Sequence, residues 1–209
     1  MKRCVFELAL VALCLVALLL PPTASAGEVF HFKGRSAFAF FHFSPDPACG
    51  NVLEAHLFAF EDRSQDLAGP PTTLSSAFLT LSKYDTCTNT LLVSASGNVL
   101  LGTQDFKVTG NPGKASLKTT IQVYDWVSAS SFTVFVDLTW GNPGTISRDT
   151  NHLLVHTPDF TLNVHSMEAF RYAGATGVIS DGATNYTAGF ESLAAWIAII
   201  KSGSVEVSH

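Results

Sequence analysis

Apolar and polar residues alternate along most of this chain from about residue 29 onward, a pattern with the two-residue period of β-strands. Short runs rich in Phe, Val, Thr and Ser are separated by Gly, Pro, Asn or Asp at intervals typical of turns, and helix signals are nearly absent. The pattern predicts strands at 29–43, 52–61, 77–84, 90–101, 105–108, 115–125, 131–140, 152–157, 160–172, 177–180 and 193–207, with a break at Gly203. The longest predicted loop, 62–76, is the segment expected to be flexible.

One segment, 115–140, is patterned clearly enough to predict a hairpin register. Placing Val123 opposite Phe132 makes one face of the hairpin apolar except at a single threonine. The same register places Lys118 opposite Asp137 on the other face, a favourable cross-strand charge pair. One buried face and one hydrated face are typical of antiparallel sheets in sandwiches and barrels.

A weak internal repeat supports the same fold class. Residues 77–99 align with 115–140, so both segments are predicted to form hairpins, while a common origin of the two is left open. We therefore predict an all-β fold, an antiparallel β-sandwich or flattened β-barrel of about ten strands.

The beginning of the chain predicts export. Basic residues precede thirteen unbroken apolar residues from Leu8 to Leu20, and Ala24 and Ala26 suit cleavage by a signal peptidase. The apolar run is shorter than the roughly 20 residues of a membrane-spanning helix, and no later run is long enough to form a transmembrane segment. We predict a cleaved secretory signal peptide at 1–26 and a single all-β domain at 27–209, located outside the cell, in a periplasm or at the cell surface.

Charge argues against a nucleic-acid partner. The chain has a formal charge of −5, and removal of residues 1–26 leaves 10 basic and 16 acidic residues, a charge of −6. Binding to a polyanion requires clustered Lys and Arg, whereas the basic residues here are scattered singly along the sequence.

Cysteine usage predicts one disulfide. Cys4 and Cys14 leave with the signal peptide, so only Cys49 and Cys87 remain, 38 residues apart. Two lone cysteines in an oxidising compartment usually pair, and the alternative is two free buried thiols.

Three histidines lie in one predicted hairpin, in a register that places His152 opposite His165. Directly opposed residues are close enough for two imidazoles to share a metal ion. His156 lies roughly 13 Å along the strand from His152, and no local carboxylate supplies a further ligand. His152 and His165 are therefore metal-ligand candidates only, against the alternative of a polar strand surface that faces solvent.

No motif assigns a catalytic residue or a cofactor. The chain has no G-x-S-x-G turn, and each candidate nucleophilic cysteine has a disulfide partner. Four carboxylates precede or lie in the predicted loop and could flank a glycosidic bond, although acidic residues at strand ends are usually solvating: Glu54, Glu61, Asp62 and Asp66.

Aromatic residues at hairpin tips are the candidates for ligand contact. Tyr84, Tyr124 and Trp126 lie where rings could be presented to a ligand, and the alternative is that they fold back onto the core. Trp140 and Trp196, on apolar strand faces, are predicted to be core residues.

Two functions follow as hypotheses. The first is a secreted or surface-associated module without catalytic activity, which binds a glycan, a lipid or a protein or has a structural role. The second is a secreted metal-dependent protein or enzyme built on the histidine-bearing strand face. A pocket that gathers one of those histidines with a carboxylate would favour the second.

Overall fold

The structure, a computed structural model, describes residues 28–44, 49–66, 69–109, 111–157, 161–187 and 191–208, so the predicted signal peptide lies outside the described residues. These residues confirm the all-β fold class, and none of them belongs to a helix long and apolar enough to cross a membrane. The eleven strands are β1 (Glu28–Phe43), β2 (Asn51–Asp66), β3 (Thr72–Asp85), β4 (Thr90–Leu100), β5 (Phe106–Thr109), β6 (Lys114–Asp125), β7 (Ser130–Gly141), β8 (Ser147–His156), β9 (Thr161–Tyr172), β10 (Gly174–Ser180) and β11 (Ala194–Ser208).

All eleven strands belong to one antiparallel sheet, in the order β10, β7, β6, β4, β3, β2, β1, β11, β9, β8, with β5 paired to β6. The sheet rolls up because β9 pairs with β11, β10 pairs with β7, and only Ala173 separates β9 from β10. The Ala173 N–H donates to the Ala195 carbonyl at 3.0 Å. One nearly continuous stretch of chain thus joins the two parts of the sheet, as in a flattened barrel rather than in a sandwich of two separate sheets.

The structure confirms the predicted hairpin register of β6 and β7. Val123 pairs with Phe132, and Lys118 pairs with Asp137, with 3.1 Å between Lys118 Nζ and Asp137 Oδ2. The two segments of the internal repeat form the β3–β4 and β6–β7 hairpins. The alternation of apolar and polar residues therefore predicted the β6–β7 register correctly, and both repeat segments form hairpins as predicted.

Small residues line the inner wall of the rolled sheet, where the alanines of β1, β2 and β3 are fully buried. Because alanine side chains are short, they leave room in the interior for a large side chain from the opposite wall of the sheet. Trp140 on β7 occupies this room, with none of its surface exposed. Its indole N–H donates to the Phe38 carbonyl on β1 at 2.7 Å, although β1 and β7 are not neighbours in the sheet. Trp140 is thus a core residue, as predicted. The buried alanines are Ala37, Ala39, Ala55, Ala59 and Ala77.

The prediction of a flexible loop at 62–76 is wrong. Strand β2 continues to Asp66 and β3 begins at Thr72, with Asp62 paired to Leu74 and Ser64 paired to Thr72. The backbone ladder continues here although both faces carry polar side chains, because strand pairing needs N–H and C=O groups and not apolar residues.

The predicted break at Gly203 is also wrong, because β11 runs through this residue. A Cβ at Gly203 would collide with the Phe32 ring, so the glycine provides room for an aromatic side chain. The irregularity lies next to it, where the residue pair Lys201 and Ser202 stands opposite Lys33 alone. This arrangement is a β-bulge.

Cys49 and Cys87 lie at disulfide distance, with Cα atoms 4.6 Å apart. The bond joins the segment before β2 to the turn after β3, as predicted from the cysteine count. Two hydrogen bonds flank it, from Gly50 N–H to Thr86 Oγ1 at 2.8 Å and from Thr86 N–H to the Gly50 carbonyl at 2.9 Å. A disulfide is typical of proteins in oxidising compartments rather than in the cytosol.

Candidate functional site

The outer face of the sheet carries a row of aromatic side chains. Phe38, Phe58 and Phe78 pair with one another across β1, β2 and β3, and Trp196 on β11 pairs with Phe38. The Trp196 ring lies 5.9 Å from the rings of both Phe38 and Phe58. The core position predicted for Trp196 is therefore wrong: it is half-buried in this outer row, because its neighbour Ile197 takes the inward position.

Beside the aromatic row lies a groove of about 240 Å³ on the outer face, here called the outer groove. Strands β2, β3 and β4 place polar side chains in two adjacent rows along it, since their pairing aligns Glu54 with Ser82 and Ser94, and His56 with Thr80 and Ser96. Trp126, in the β6–β7 turn, forms part of the lining. The full lining is Glu54, His56, Thr80, Leu81, Ser82, Ser94, Ala95, Ser96 and Trp126.

Glu54 is held in place by hydrogen bonds to both of its oxygens. His42 Nδ1 lies 3.0 Å from Oε1, and the Ser82 hydroxyl donates to Oε2 at 3.1 Å. His56 is stacked on the Phe40 ring, with centroids 4.3 Å apart. The carboxylate and the imidazole that line the outer groove are therefore oriented before any ligand arrives.

Hydrogen bonds fix the backbone of the β6–β7 turn that carries Trp126. Burial of the Asp125 carboxylate raises its pKa, but hydrogen bonds from Ser128 and from the backbone N–H groups of Ser94 and Val127 outweigh that effect and leave the pKa lowered. The Trp126 N–H also donates to the Ser94 carbonyl at 2.9 Å, which ties the turn to β4. The network keeps Asp125 ionised and fixes the turn, with 68% of Trp126 exposed.

Of the three aromatic candidates, the structure brings two together. The rings of Tyr124 and Trp126 are 4.8 Å apart and meet edge to face at 74°. Tyr84 belongs to the other hairpin, where its hydroxyl donates to Asn89 Oδ1, and it does not line the outer groove. A ligand-binding role for Tyr84, Tyr124 and Trp126 stays a prediction.

The histidine hairpin has the predicted register, with His152 opposite His165. The two exposed rings are stacked nearly parallel, 4.2 Å apart. His152 Nε2 lies 2.8 Å from Asn163 Oδ1, and His156 Nδ1 lies 2.7 Å from Thr161 Oγ1. Among the described residues, no group of three or more His, Cys, Asp or Glu side chains is placed to hold a metal ion. Metal binding by His152 and His165 stays a prediction.

The four carboxylates weighed for glycosidic chemistry are dispersed. Glu54 lies in the outer groove, whereas Glu61 is seven residues, roughly 23 Å, further along β2 and bonds Arg35 at 2.6 Å. Glu61 and Asp62, as sequence neighbours on a strand, face opposite sides of the sheet. The side chain of Asp66 lies outside the described residues.

Asp62 is the one of these carboxylates with a strongly shifted pKa. Its Oδ1 lies against Gly34, where a Cβ would collide with it. Burial, and secondarily the Glu61 charge, raise the pKa of Asp62 from its ordinary value of 3.8 to about 6. Ionising this carboxylate therefore opposes folding.

Asp62→Asn is expected to raise the free energy of unfolding at pH 7 by about 1–2 kcal/mol. In the native protein the destabilisation develops as the pH rises from about 4 to 6 and remains above that range. Urea denaturation of both proteins at pH 3.5 and pH 7 measures it. An equal difference at both values would contradict the expectation, since the pH 3.5 pair is the internal control.

Comparison with known proteins assigns no family. No family model matches the chain, and no curated protein matches it. Among solved structures, the chain is similar to the enduracididine biosynthesis enzyme MppR complexed with the condensation product of pyruvate and imidazole 4-carboxaldehyde. The identity is 10%, the match covers 92% of this chain and 93% of the other, and the TM-score is 0.30. A likeness of this degree supports no conclusion about fold or function.

Proposed function

We propose that the chain is a secreted, non-catalytic module that binds a glycan in the outer groove. The observation that carries the proposal is the exposed indole of Trp126 beside the oriented carboxylate of Glu54 and the hydroxyls of Ser82, Ser94 and Ser96. The disulfide supports the location outside the cytosol.

This combination of groups fits the chemistry of a sugar. A pyranose ring has an apolar C–H face that stacks on an aromatic ring and a rim of hydroxyls that exchange hydrogen bonds with carboxylates and hydroxyl groups. Ligand sites typically combine aromatic surface with a few well-placed polar groups. Because the turn network already fixes the backbone at Trp126, and hydrogen bonds fix the Glu54 side chain, less conformational entropy is lost when a sugar binds than at a mobile loop.

A glycan fits the outer groove better than a lipid does. A lipid tail needs an apolar channel, whereas the strands contribute mainly serine, threonine, histidine and glutamate to this lining. The aromatic row, with Phe78 46% exposed, continues from the groove and could contact further residues of an oligosaccharide.

Trp126→Ala is expected to weaken glycan binding at least tenfold, because truncating an aromatic anchor at the centre of a binding site removes about 2 kcal/mol or more of binding free energy. An array of neutral oligosaccharides identifies a ligand for the mature chain, and calorimetry then measures the affinity of each variant. Glu54→Gln tests the polar side of the groove and should weaken binding in the same direction.

Leu154→Ala is the control. Leu154 is 60% exposed, close to Trp126 at 68%, but lies on β8 and belongs neither to the lining of the outer groove nor to the aromatic row. Equal affinity of the Trp126→Ala variant and the native chain, or an equal loss for Leu154→Ala, would show that the groove is not the binding site.

A further inference from the structure

A second groove, of about 320 Å³, lies at the end of β1 and β2 near the β11 bulge, and four basic side chains line it. Val108 and Ile199, which border it, pack within or against the hydrophobic core, so the groove opens on the inner side of the rolled sheet. We call it the cationic groove. Its lining is Lys33, Gly34, Arg35, Glu61, Arg63, Val108, Ile199, Ile200 and Lys201.

Like charges face one another in the cationic groove. Lys33 pairs directly with Arg63 across β1 and β2, an arrangement that destabilises a sheet. Glu61 is ion-paired with Arg35, with 2.6 Å between Glu61 Oε1 and Arg35 Nη2. Within the described residues, no ion pair involves Lys33, Arg63 or Lys201. In the described part of the chain, three cations therefore lie at one groove without an ion-pair partner, although the net charge of the chain is −5.

The bulge in β11 adds the third of these cations. Because Lys201 and Ser202 together stand opposite Lys33, Lys201 is an extra residue in the ladder, and it lines the cationic groove. Bulges commonly redirect a side chain next to a functional site. A regular strand would have avoided this concentration of positive charge.

One N–H group of the Arg35 guanidinium has no hydrogen-bond partner. Its Nη1 reaches the Val108 carbonyl on β5 at 3.5 Å and its Nη2 bonds Glu61, but its buried Nε has no partner. Buried donors without a partner are uncommon in folded proteins. Arg35 is thus held by Glu61 and Val108, which leaves Lys33, Arg63 and Lys201 as the exposed cations of the groove.

We propose that the cationic groove binds a small soluble oxyanion, a phosphate or sulfate group, bridged by Lys33, Arg63 and Lys201. An oxyanion between these side chains converts their mutual repulsion into three charge-assisted hydrogen bonds. Ile199, Ile200 and Val108 provide apolar surface for the rest of a phosphorylated or sulfated molecule. The volume of about 320 Å³ suits a small soluble ligand.

This site is separate from the outer groove. Glu54 lines one groove and Glu61 the other, and they lie seven residues apart on opposite faces of β2. The oxyanion proposal therefore stands or fails independently of glycan binding.

Titration with inorganic phosphate tests the proposal, with calorimetry and thermal unfolding as readouts and sodium chloride used to hold the ionic strength constant. The native chain should bind phosphate and unfold at a higher temperature with it. The Lys33→Gln, Arg63→Gln double variant should lose at least tenfold in affinity, whereas Lys114→Gln, at an exposed lysine on β6, should bind as the native chain does. If the double variant does not fold, Lys201→Gln alone should show the loss.

A second readout tests the premise that the cations of the groove repel one another. In buffer without phosphate, Arg63→Gln should raise the melting temperature, because it removes the repulsion with Lys33. Equal phosphate affinity of the native chain and the double variant, or a chloride effect equal to that of phosphate, would overturn the proposal. Binding seen only with phosphatidylcholine vesicles that contain phosphatidic acid would place the phosphate on a lipid and would also overturn it.

Discussion

Trp140→Ala is expected to lower the free energy of unfolding by about 3–5 kcal/mol, enough to remove a large part of the stability of a domain of this size. Trp140 is fully buried, and it is the side chain that spans the interior between β7 and β1. The substitution leaves a cavity between walls lined with alanines, whose short side chains cannot move to fill it. Urea denaturation followed by circular dichroism measures the loss.

Two further variants separate the causes of that loss. Trp126→Ala removes an equally large side chain that is 68% exposed, and it should change the free energy of unfolding by no more than about 0.5 kcal/mol. Trp140→Phe keeps most of the volume but deprives the Phe38 carbonyl of its donor, so an intermediate loss is expected. Similar stabilities for the Trp140→Ala and Trp126→Ala variants would contradict the interior position of Trp140.

The Cys49→Ser, Cys87→Ser double variant is expected to lose about 4 kcal/mol, because the bond closes a 38-residue loop in the unfolded chain. The loop contains all of β2 and all of β3, so the unfolded state gains the entropy of two strands when the link is absent. Guanidinium denaturation of the native chain and the variant measures the difference.

Reductant is the control for this prediction. Dithiothreitol should lower the stability of the native chain to that of the double variant and leave the variant itself unchanged. No effect of reductant on the native chain would mean that the two cysteines are not linked in solution.

The two grooves lie on opposite faces of the sheet and differ in the chemistry of their linings. The outer groove combines an exposed indole with oriented polar groups and has no Lys or Arg in its lining, while the cationic groove on the inner side has an excess of positive charge. Different classes of ligand are therefore expected at the two sites, and binding at one is not expected to require the other.

Pairing between strands adjacent in sequence was predictable. The registers of the β6–β7 and β8–β9 hairpins follow from alternation and a short connection, and the structure has both. In the first, the apolar face and the Lys118–Asp137 pair agree on one alignment, and a slip of one residue would separate this pair and place one of its charges on the apolar face.

Pairing between distant strands was not predictable. The contacts of β1 with β11, of β7 with β10 and of β4 with β6 join segments that no local turn aligns. The position of Trp196 depends on the first of these contacts, because its ring faces outward only once Ile197 faces the core from β11. An apolar run such as 193–200 has no polar side chain to mark the outward face.

The residues of the candidate sites likewise include some that the sequence predicts and others that only the pairing of strands brings together. Trp126 was a candidate from sequence because it follows a strand in a predicted turn, but its groove partners Ser82 and Ser94 were missed. They meet Glu54 only through the register of β2, β3 and β4, which places three isolated polar residues in one row. Lys33, Arg63 and Lys201 are also far apart in the sequence, and the pairing of β1 with β2 and β11 brings them to one groove.

The amino-acid sequence by itself determined the all-β class, most strand positions, the registers of the β6–β7 and β8–β9 hairpins and the cysteine pairing. Each of these depends on side-chain alternation, on turn residues or on the number of cysteines, which are properties of short segments or of composition. The tertiary structure alone decided how the sheet closes through β9 and β10, which side of it Trp196 faces, and which polar and charged residues share a groove. Those features arise from contacts between residues far apart in the chain, whose free energy is gained only when the whole sheet assembles.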